Sequence, residues 1–141
     1  MKSMKCLNKP KVIKNPLILS EIDYYRLLST IQYEKQRGKI SSQRLNRLRH
    51  RLKDINLYPI RWFPVDVVSM NSFFELTVSG AARYVCRLVY PEEANFKQRQ
   101  ISVFSSLGMR ILGRRTGDTL RSGKLRIGKI LYQPELYDRS D

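Results

Sequence analysis

The single histidine, His50, sits between Arg49 and Arg51. Neighbouring cations disfavour a protonated imidazole partner, so His50 is a poor general base and reads as surface polar. The two cysteines, Cys6 and Cys86, are far apart and belong to no Cys-x-x-Cys or Cys/His cluster. A structural zinc site needs about four ligands, so no metal is expected. Gly113-Arg114-Arg115-Thr116-Gly117-Asp118 is glycine-bounded and basic, yet it lacks the Gly-Lys-Ser/Thr ending of a phosphate loop. Glu92-Glu93 is the only adjacent pair of carboxylates with acid/base potential, and it reads as a surface turn. These residue types predict a chain that is not an enzyme and needs no cofactor.

What the chain does carry is positive charge. Lys plus Arg number 27 against 12 Asp plus Glu in 141 residues, a formal charge of +15. Such a field steers encounters with acidic surfaces without naming one. It makes a weak, salt-sensitive nucleic-acid contact expected, and a basic nucleic-acid-binding protein is one reading of the whole chain. The length suits one domain with an appendage. No apolar run approaches the roughly 20 residues of a membrane span, and the start, with its lysines, lacks a signal peptide's apolar stretch. A cytoplasmic monomer with reduced thiols and no membrane partner is the expectation.

Residues 1–15 carry Lys2, Lys5, Lys9, Lys11 and Lys14 and no acid, and read as a solvated basic tail. Residues 16–56 read as a helical hairpin. Ser20 can cap a first helix, with Glu21 and Asp23 in its first turn opposing the helix dipole. Tyr24, Leu28 and Ile31, with Leu27 beside them, fall on one face. Gly38 supplies the left-handed backbone of a helix end. Ser41 or Ser42 can cap a second helix, in which Leu45, Leu48, Leu52 and Ile55 form a seam. Arg44, Arg47, Arg49, Arg51 and Lys53 lie mostly off that seam, as a basic face. The pair predicts a short antiparallel coiled coil, each helix about 16 residues long and so reaching roughly 24 Å.

Residues 57–65 read as a connector. Pro59 and Pro64 break the helix, and Leu57, Tyr58, Ile60, Trp62 and Phe63 make it too apolar for a free linker, so Trp62 is expected to be buried in the joint. The texture then changes. Val65–Met70, Phe73–Ser79 and Tyr84–Tyr90 are rich in β-branched and aromatic residues, with turn chemistry at Asn71-Ser72 and Ser79-Gly80. Alternation puts Tyr84, Cys86, Leu88 and Tyr90 on the core face of their strand. Ile101–Phe104 predicts a further strand, and Ser105-Ser106 a cap for a brief helix ended by Gly113. Leu125–Tyr132 predicts a last strand, with Leu125, Ile127 and Lys129 on one side. The fold class is α+β: an N-terminal helical hairpin followed by an antiparallel sheet domain with one short helix.

Several strings in this order resemble a known family: Asp66-Val67-Val68-Ser69-Met70-Asn71-Ser72, Leu88-Val89-Tyr90-Pro91, Ile101-Ser102-Val103, Ser105-Ser106-Leu107-Gly108, and Leu131-Tyr132-Gln133-Pro134-Glu135. Together they resemble the Gre transcript-elongation factor family and, within it, the regulators of nucleoside diphosphate kinase. The resemblance spans residues 66–135, leaving 136–141 as a tail. It implies an FKBP-like domain preceded by a helical hairpin. It implies also a protein that docks on the β′ subunit of bacterial RNA polymerase at the secondary channel. Carried over, the docking segment is Ser105, Ser106, Leu107, Gly108 and, in the helix that follows, Arg110. Where the family usually has proline after the residue matching Ser105, this chain has Ser106, which leaves the loop less rigid.

In cleavage-stimulating members of the family, acidic residues at the hairpin tip hold a magnesium ion. Here the tip is Glu34, Lys35, Gln36, Arg37, Gly38 and Lys39, in which cations outnumber the one acid. A cationic tip repels magnesium. The resemblance, corrected for this tip and for the short helices, predicts a regulator that competes with Gre-type factors for the channel without stimulating transcript cleavage.

Overall fold

The computed structural model describes residues 17–80 and 82–138. The lysine-rich tail and Cys6 lie outside these residues.

The chain enters through a strand, β1 (Leu17–Ser20), and turns directly into α1 (Glu21–Arg37). Ser20 does two jobs: it closes the strand, and its Oγ accepts from the Asp23 amide as the helix cap. Gly38, at φ 72°, ends α1 with its amide on the Glu34 carbonyl. Ser41 caps α2 (Ser42–Arg51), and a second strand, β2 (Ile55–Tyr58), follows at once. β2 pairs with β1 in parallel, Leu17 opposite Ile55 and Ser20 opposite Tyr58. Parallel neighbours need a crossover of a dozen or more residues, and the two helices are that crossover. The helical pair is thus tied at its base by a two-stranded sheet.

This corrects the sequence reading in two places. The apolar run at Leu17–Leu19 is a strand, which so short a run cannot reveal, because its partner lies beyond both helices. The seam of the second helix ends at Leu52, and Ile55 belongs to β2, so α2 has 10 residues against 17 in α1. Leu27, Ile31, Leu45, Leu48 and Leu52 are all buried in one core, with Tyr24 and Leu28 half-buried against it.

Five strands make the main sheet: β3 (Phe73–Val78), β4 (Ala82–Val89), β5 (Gln100–Ser102), β6 (Thr119–Leu120) and β7 (Leu125–Tyr132), in the order β5-β4-β3-β7-β6. All neighbours are antiparallel except β4 and β5, which are parallel. Two helices complete the fold, α3 (Ser106–Ile111) between β5 and β6, and α4 (Pro134–Asp138) after β7. Phe74, Leu76, Cys86, Leu88 and Ile127 fill the sheet's core face. On β4 the core face is narrower than the alternation predicts, since Tyr84 near the strand's start is exposed. The alternation on β7 slips after Ile127: Leu76 pairs with Ile127 but Phe74 with Ile130. One extra residue on β7 is a bulge, so Ile130 packs against the core and Lys129 faces solvent. Gly128 beside it packs closely on β3, where a Cβ would lie 3.0 Å from that of Glu75.

Residues 63–72 join the parts, though not as the predicted Val65–Met70 strand. Val67, Val68 and Met70 are all buried, so the segment does not alternate, and its one ladder contact is a bridge from Val67 to Arg115. Its polar groups are satisfied from several sides instead. The Val68 amide donates to the Arg114 carbonyl (2.9 Å), and the Val68 carbonyl accepts from Gly113 (2.9 Å). Gln133 Nε2 donates to the carbonyls of Pro64 (2.8 Å) and Val67 (2.9 Å). Phe63, with Ile18 and Val67, fills a small second core. Trp62, expected in that place, is 70% exposed. It ends a 3-10 turn, Ile60–Trp62, after which the chain turns Phe63 inward.

Candidate functional site

The segment Ser105–Arg110 lies at the start of α3, and its residues divide into scaffold and surface. Ser105 Oγ accepts from the Gly108 amide (2.9 Å) and donates to the Ser102 carbonyl (2.6 Å), so the hydroxyl is used in capping. At Gly108 a Cβ would fall 1.9 Å from the Ser102 carbonyl oxygen, and only glycine fits. Ser106 and Arg110 point their side chains to solvent, and Leu107 is half-buried. Ser106 is the first helical residue. There proline would fix φ and give up an amide that needs no helical partner, so serine keeps the helix but not the preset backbone.

Leu107 borders a groove of about 420 Å³ that the sequence reading missed. Leu76, Tyr84, Cys86, Ile101 and Leu125 floor and wall it, and Phe96, 82% exposed, stands at its edge. Lys97, Arg99 and Arg121 rim it, and Arg99 lies over the Tyr84 ring at 4.8 Å. Burial raises the pKa of the Cys86 thiol, against the weaker pull of Arg99, so the thiol is neutral. The groove is an apolar trough with a cationic rim, the chemistry of a seat for an amphipathic acidic segment. The signal available in sequence was Phe96, an aromatic stranded among Glu93, Lys97 and Arg99 with no periodic partner. A larger hollow, about 850 Å³, runs along α1 past Tyr25, Tyr33 and Tyr90, but it is open and bordered by Glu21, Glu92 and Glu93.

The hairpin tip departs from expectation in one residue. Gln36, Arg37, Gly38 and Lys39 are exposed, but Glu34 is buried, with Arg37 at 3.6 Å. Its place on α1, three residues beyond Ile31, turns it toward the body. Arg37 also covers the Tyr33 ring, 5.5 Å from its centre. On α2, Arg44 and Arg47 are exposed as the basic face requires, whereas Arg51 is drawn into the seam with the sheet domain.

A buried polar cluster fixes the helices to that domain. Asp23 Oδ2 accepts from the Met70 amide (3.0 Å), and Ser69 Oγ donates to Glu135 Oε1 (2.6 Å). Burial first, then the Glu135 charge, push the Asp23 carboxyl up to about 8; the Met70 bond acts the other way, a hydrogen bond with Glu135 raises it again, and Arg26 lowers it slightly. Burial beside Glu135 thus favours the protonated form of Asp23. Burial and then Asp23 also raise the Tyr90 phenol.

Residues 64–129 match the family model of the transcription elongation factor GreA/GreB C-terminal domain. No curated protein matches the chain. Among solved structures, the prokaryotic transcription elongation factor GreA/GreB from Nitrosomonas europaea is 25% identical with a TM-score of 0.68, over 84% of this chain and 100% of that one. The GreA factor homolog 1 (Gfh1) of Thermus thermophilus is 23% identical with a TM-score of 0.43, over 83% and 99%. Gfh1 of Thermus aquaticus is 20% identical with a TM-score of 0.40, over 83% and 99%. The segment Ser105–Arg110 and the groove beside it thus lie within a stretch similar to the GreA/GreB C-terminal domain, on a fold of the GreA/GreB kind.

Proposed function

We propose that this chain is a transcription regulator of the Gre type that binds bacterial RNA polymerase. The observation that carries the reading is the apolar, cation-rimmed groove beside Leu107, lying inside the stretch similar to the GreA/GreB C-terminal domain. Leu107, Ser106 and Arg110 are the contact residues of this proposal, with Ser105 and Gly108 shaping the turn that presents them. The β′ subunit at the rim of the secondary channel is the partner the family resemblance supplies. The finer likeness, to the regulators of nucleoside diphosphate kinase, rests on the order of parts and on the sequence strings over residues 66–135.

The helical pair is then the channel-facing part. At 1.5 Å per residue the 17 residues of α1 extend about 25 Å, and α2 is shorter. The exposed tip presents Arg37 and Lys39, while its carboxylate is turned inward. Such a tip disfavours a second magnesium ion, so the protein occupies the channel mouth and competes with cleavage factors without stimulating cleavage. The domain reading of a helical unit at 16–56, a connector and a sheet domain at 66–135 belongs to the same proposal.

The test is capture of core polymerase by the tagged protein, with Leu107→Asp beside it. A charge placed in the apolar contact should weaken binding roughly tenfold or more. Unchanged capture by a folded variant removes the segment from the interface. Stalled elongation complexes should keep their transcripts at full length when the protein is added, and should lose Gre-stimulated cleavage in proportion to it. The charge of +15 and the exposed Arg44 and Arg47 favour a second reading, a basic nucleic-acid-binding protein on the same fold. Under that reading duplex DNA displaces polymerase from the protein; under the first it does not.

A further inference from the structure

Arg51 ends α2 half-buried at the seam between the helices and the sheet domain, where Arg110 of α3 and Arg114, just beyond it, approach. Burial, then Arg114, then Arg110 make its protonated form harder to hold. Like charges gathered half out of water are costly unless something answers them. Among the described residues, the ion pairs are Arg37–Glu34, Arg83–Glu75 and Arg115–Asp66, and none includes Arg51, Arg110 or Arg114.

The cluster is also held in place. Arg114 Nε donates to the Arg110 carbonyl (3.1 Å), and the Arg114 carbonyl accepts from the Val68 amide (2.9 Å). Gly113 brings this loop hard against β1: at φ 76°, its Cβ would lie 2.5 Å from Leu17 Cδ1. Between them opens a recess of about 230 Å³ bordered by Arg51, Arg114, Asn56 and Tyr58. Arg115 and Asp118 border it too, but both are engaged: Arg115 pairs with Asp66 at 2.8 Å, and Asp118 Oδ2 accepts from the Arg115 amide at 2.8 Å. The amide bond leaves the Asp118 carboxylate charged, so at the recess the guanidinium groups of Arg51 and Arg114, which lie in no ion pair, outnumber one carboxylate.

We propose that this recess binds a small anion of the diphosphate class, clamped between Arg51 and Arg114 with Asn56 and Tyr58 as neutral hydrogen-bonding walls. Guanidinium forks match phosphate oxygens bidentately, and a diphosphate presents charge on adjacent groups to both forks at once. A nucleic-acid phosphodiester carries one charge and must keep its chain outside so small a recess. The exposed Arg44 and Arg47 face on α2 suits that ligand better.

Titration calorimetry of the full chain with inorganic pyrophosphate tests the site. One saturable site is expected, with a rise in melting temperature on saturation. Arg51→Gln and Arg114→Gln should each weaken binding tenfold or more, while Arg44→Gln leaves it unchanged. Arg114→Lys, which keeps the charge and loses the fork, should fall between. Because Arg51→Gln removes repulsion, its melting temperature without anion should not drop below that of the parent, which separates loss of binding from loss of fold. A single-stranded oligonucleotide with a 5′-hydroxyl should not displace pyrophosphate. Displacement by it, equal weakening by Arg44→Gln, or the lack of a saturable phase would each overturn the proposal.

Discussion

Asp23→Asn removes the one carboxyl whose titration is tied to the joint between helices and sheet. In the folded chain Asp23 holds its proton up to about 8; unfolded, it releases it near the ordinary 3.8. Between those values the folded state binds the extra proton, so stability falls as pH rises through the window from about 4 to 8, and flattens above it. Each pH unit inside the window changes the folding free energy by about 1.4 kcal/mol per proton, so raising the pH from 5 to 8 costs at most about 4 kcal/mol. Asparagine mimics the protonated acid, since its carbonyl can accept from the Met70 amide and its NH2 can donate to Glu135. Urea titrations at pH 5 and pH 8 should therefore show the parent losing stability with rising pH and Asp23→Asn losing several kcal/mol less. At pH 8 the variant should match or exceed the parent. Equal losses in the two proteins would mean that Asp23 ionises normally and that the joint is not built on a protonated acid.

Gly113→Ala puts a Cβ 2.5 Å from Leu17 Cδ1 and 3.0 Å from the Ile18 backbone at a positive φ, and should cost roughly 2–4 kcal/mol in thermal or chemical unfolding. A wild-type melting temperature would show that β1 can move away from the loop. Gln133→Leu leaves the carbonyls of Pro64 and Val67 without their shared donor, for roughly 2–3 kcal/mol by the same measurement. Ser105→Ala loses both the α3 cap and a bond to Ser102, about 1–2 kcal/mol, and should reduce hydrogen-exchange protection of the Gly108 amide before it affects distant strands.

The elements that sequence revealed are those whose signals are local. Ser20, Gly38, Ser41 and Ser105 each announce a helix end by a hydrogen bond or backbone state set within four residues, and each does so in the structure. The strands at Phe73–Val78, Ala82–Val89 and Leu125–Tyr132 are carried by β-branched and aromatic runs. What stayed hidden depends on partners remote in the chain. The β1–β2 pairing spans both helices, and the bulge that exchanges Lys129 for Ile130 arises in the pairing of β7 with β3, far earlier in the chain. Trp62 was misplaced because side-chain size argues for burial, whereas the 3-10 turn decides which of two adjacent aromatics faces inward. At the candidate site the helix cap at Ser105 was legible, but the groove was not, since its lining comes from strands and loops between Leu76 and Leu125.

The joint also constrains how the proposed site can act. The helical pair is held to the sheet domain by the Asp23–Met70 bond, by the close approach of Gly113 to β1, and by the shared core of Leu27, Leu48, Met70 and Leu112. Packed interiors transmit displacement rather than absorb it, so the tip at Arg37–Lys39 is fixed in direction relative to the groove at Leu107. A partner gripping that groove therefore sets where the cationic tip points. The arginine recess lies on the same seam, between the end of α2 and the loop after α3. An anion bound there cancels repulsion between the two units and tightens the seam. If the tip acts inside a channel as proposed, filling the recess should strengthen competition with cleavage factors even though no recess residue belongs to the tip or borders the groove.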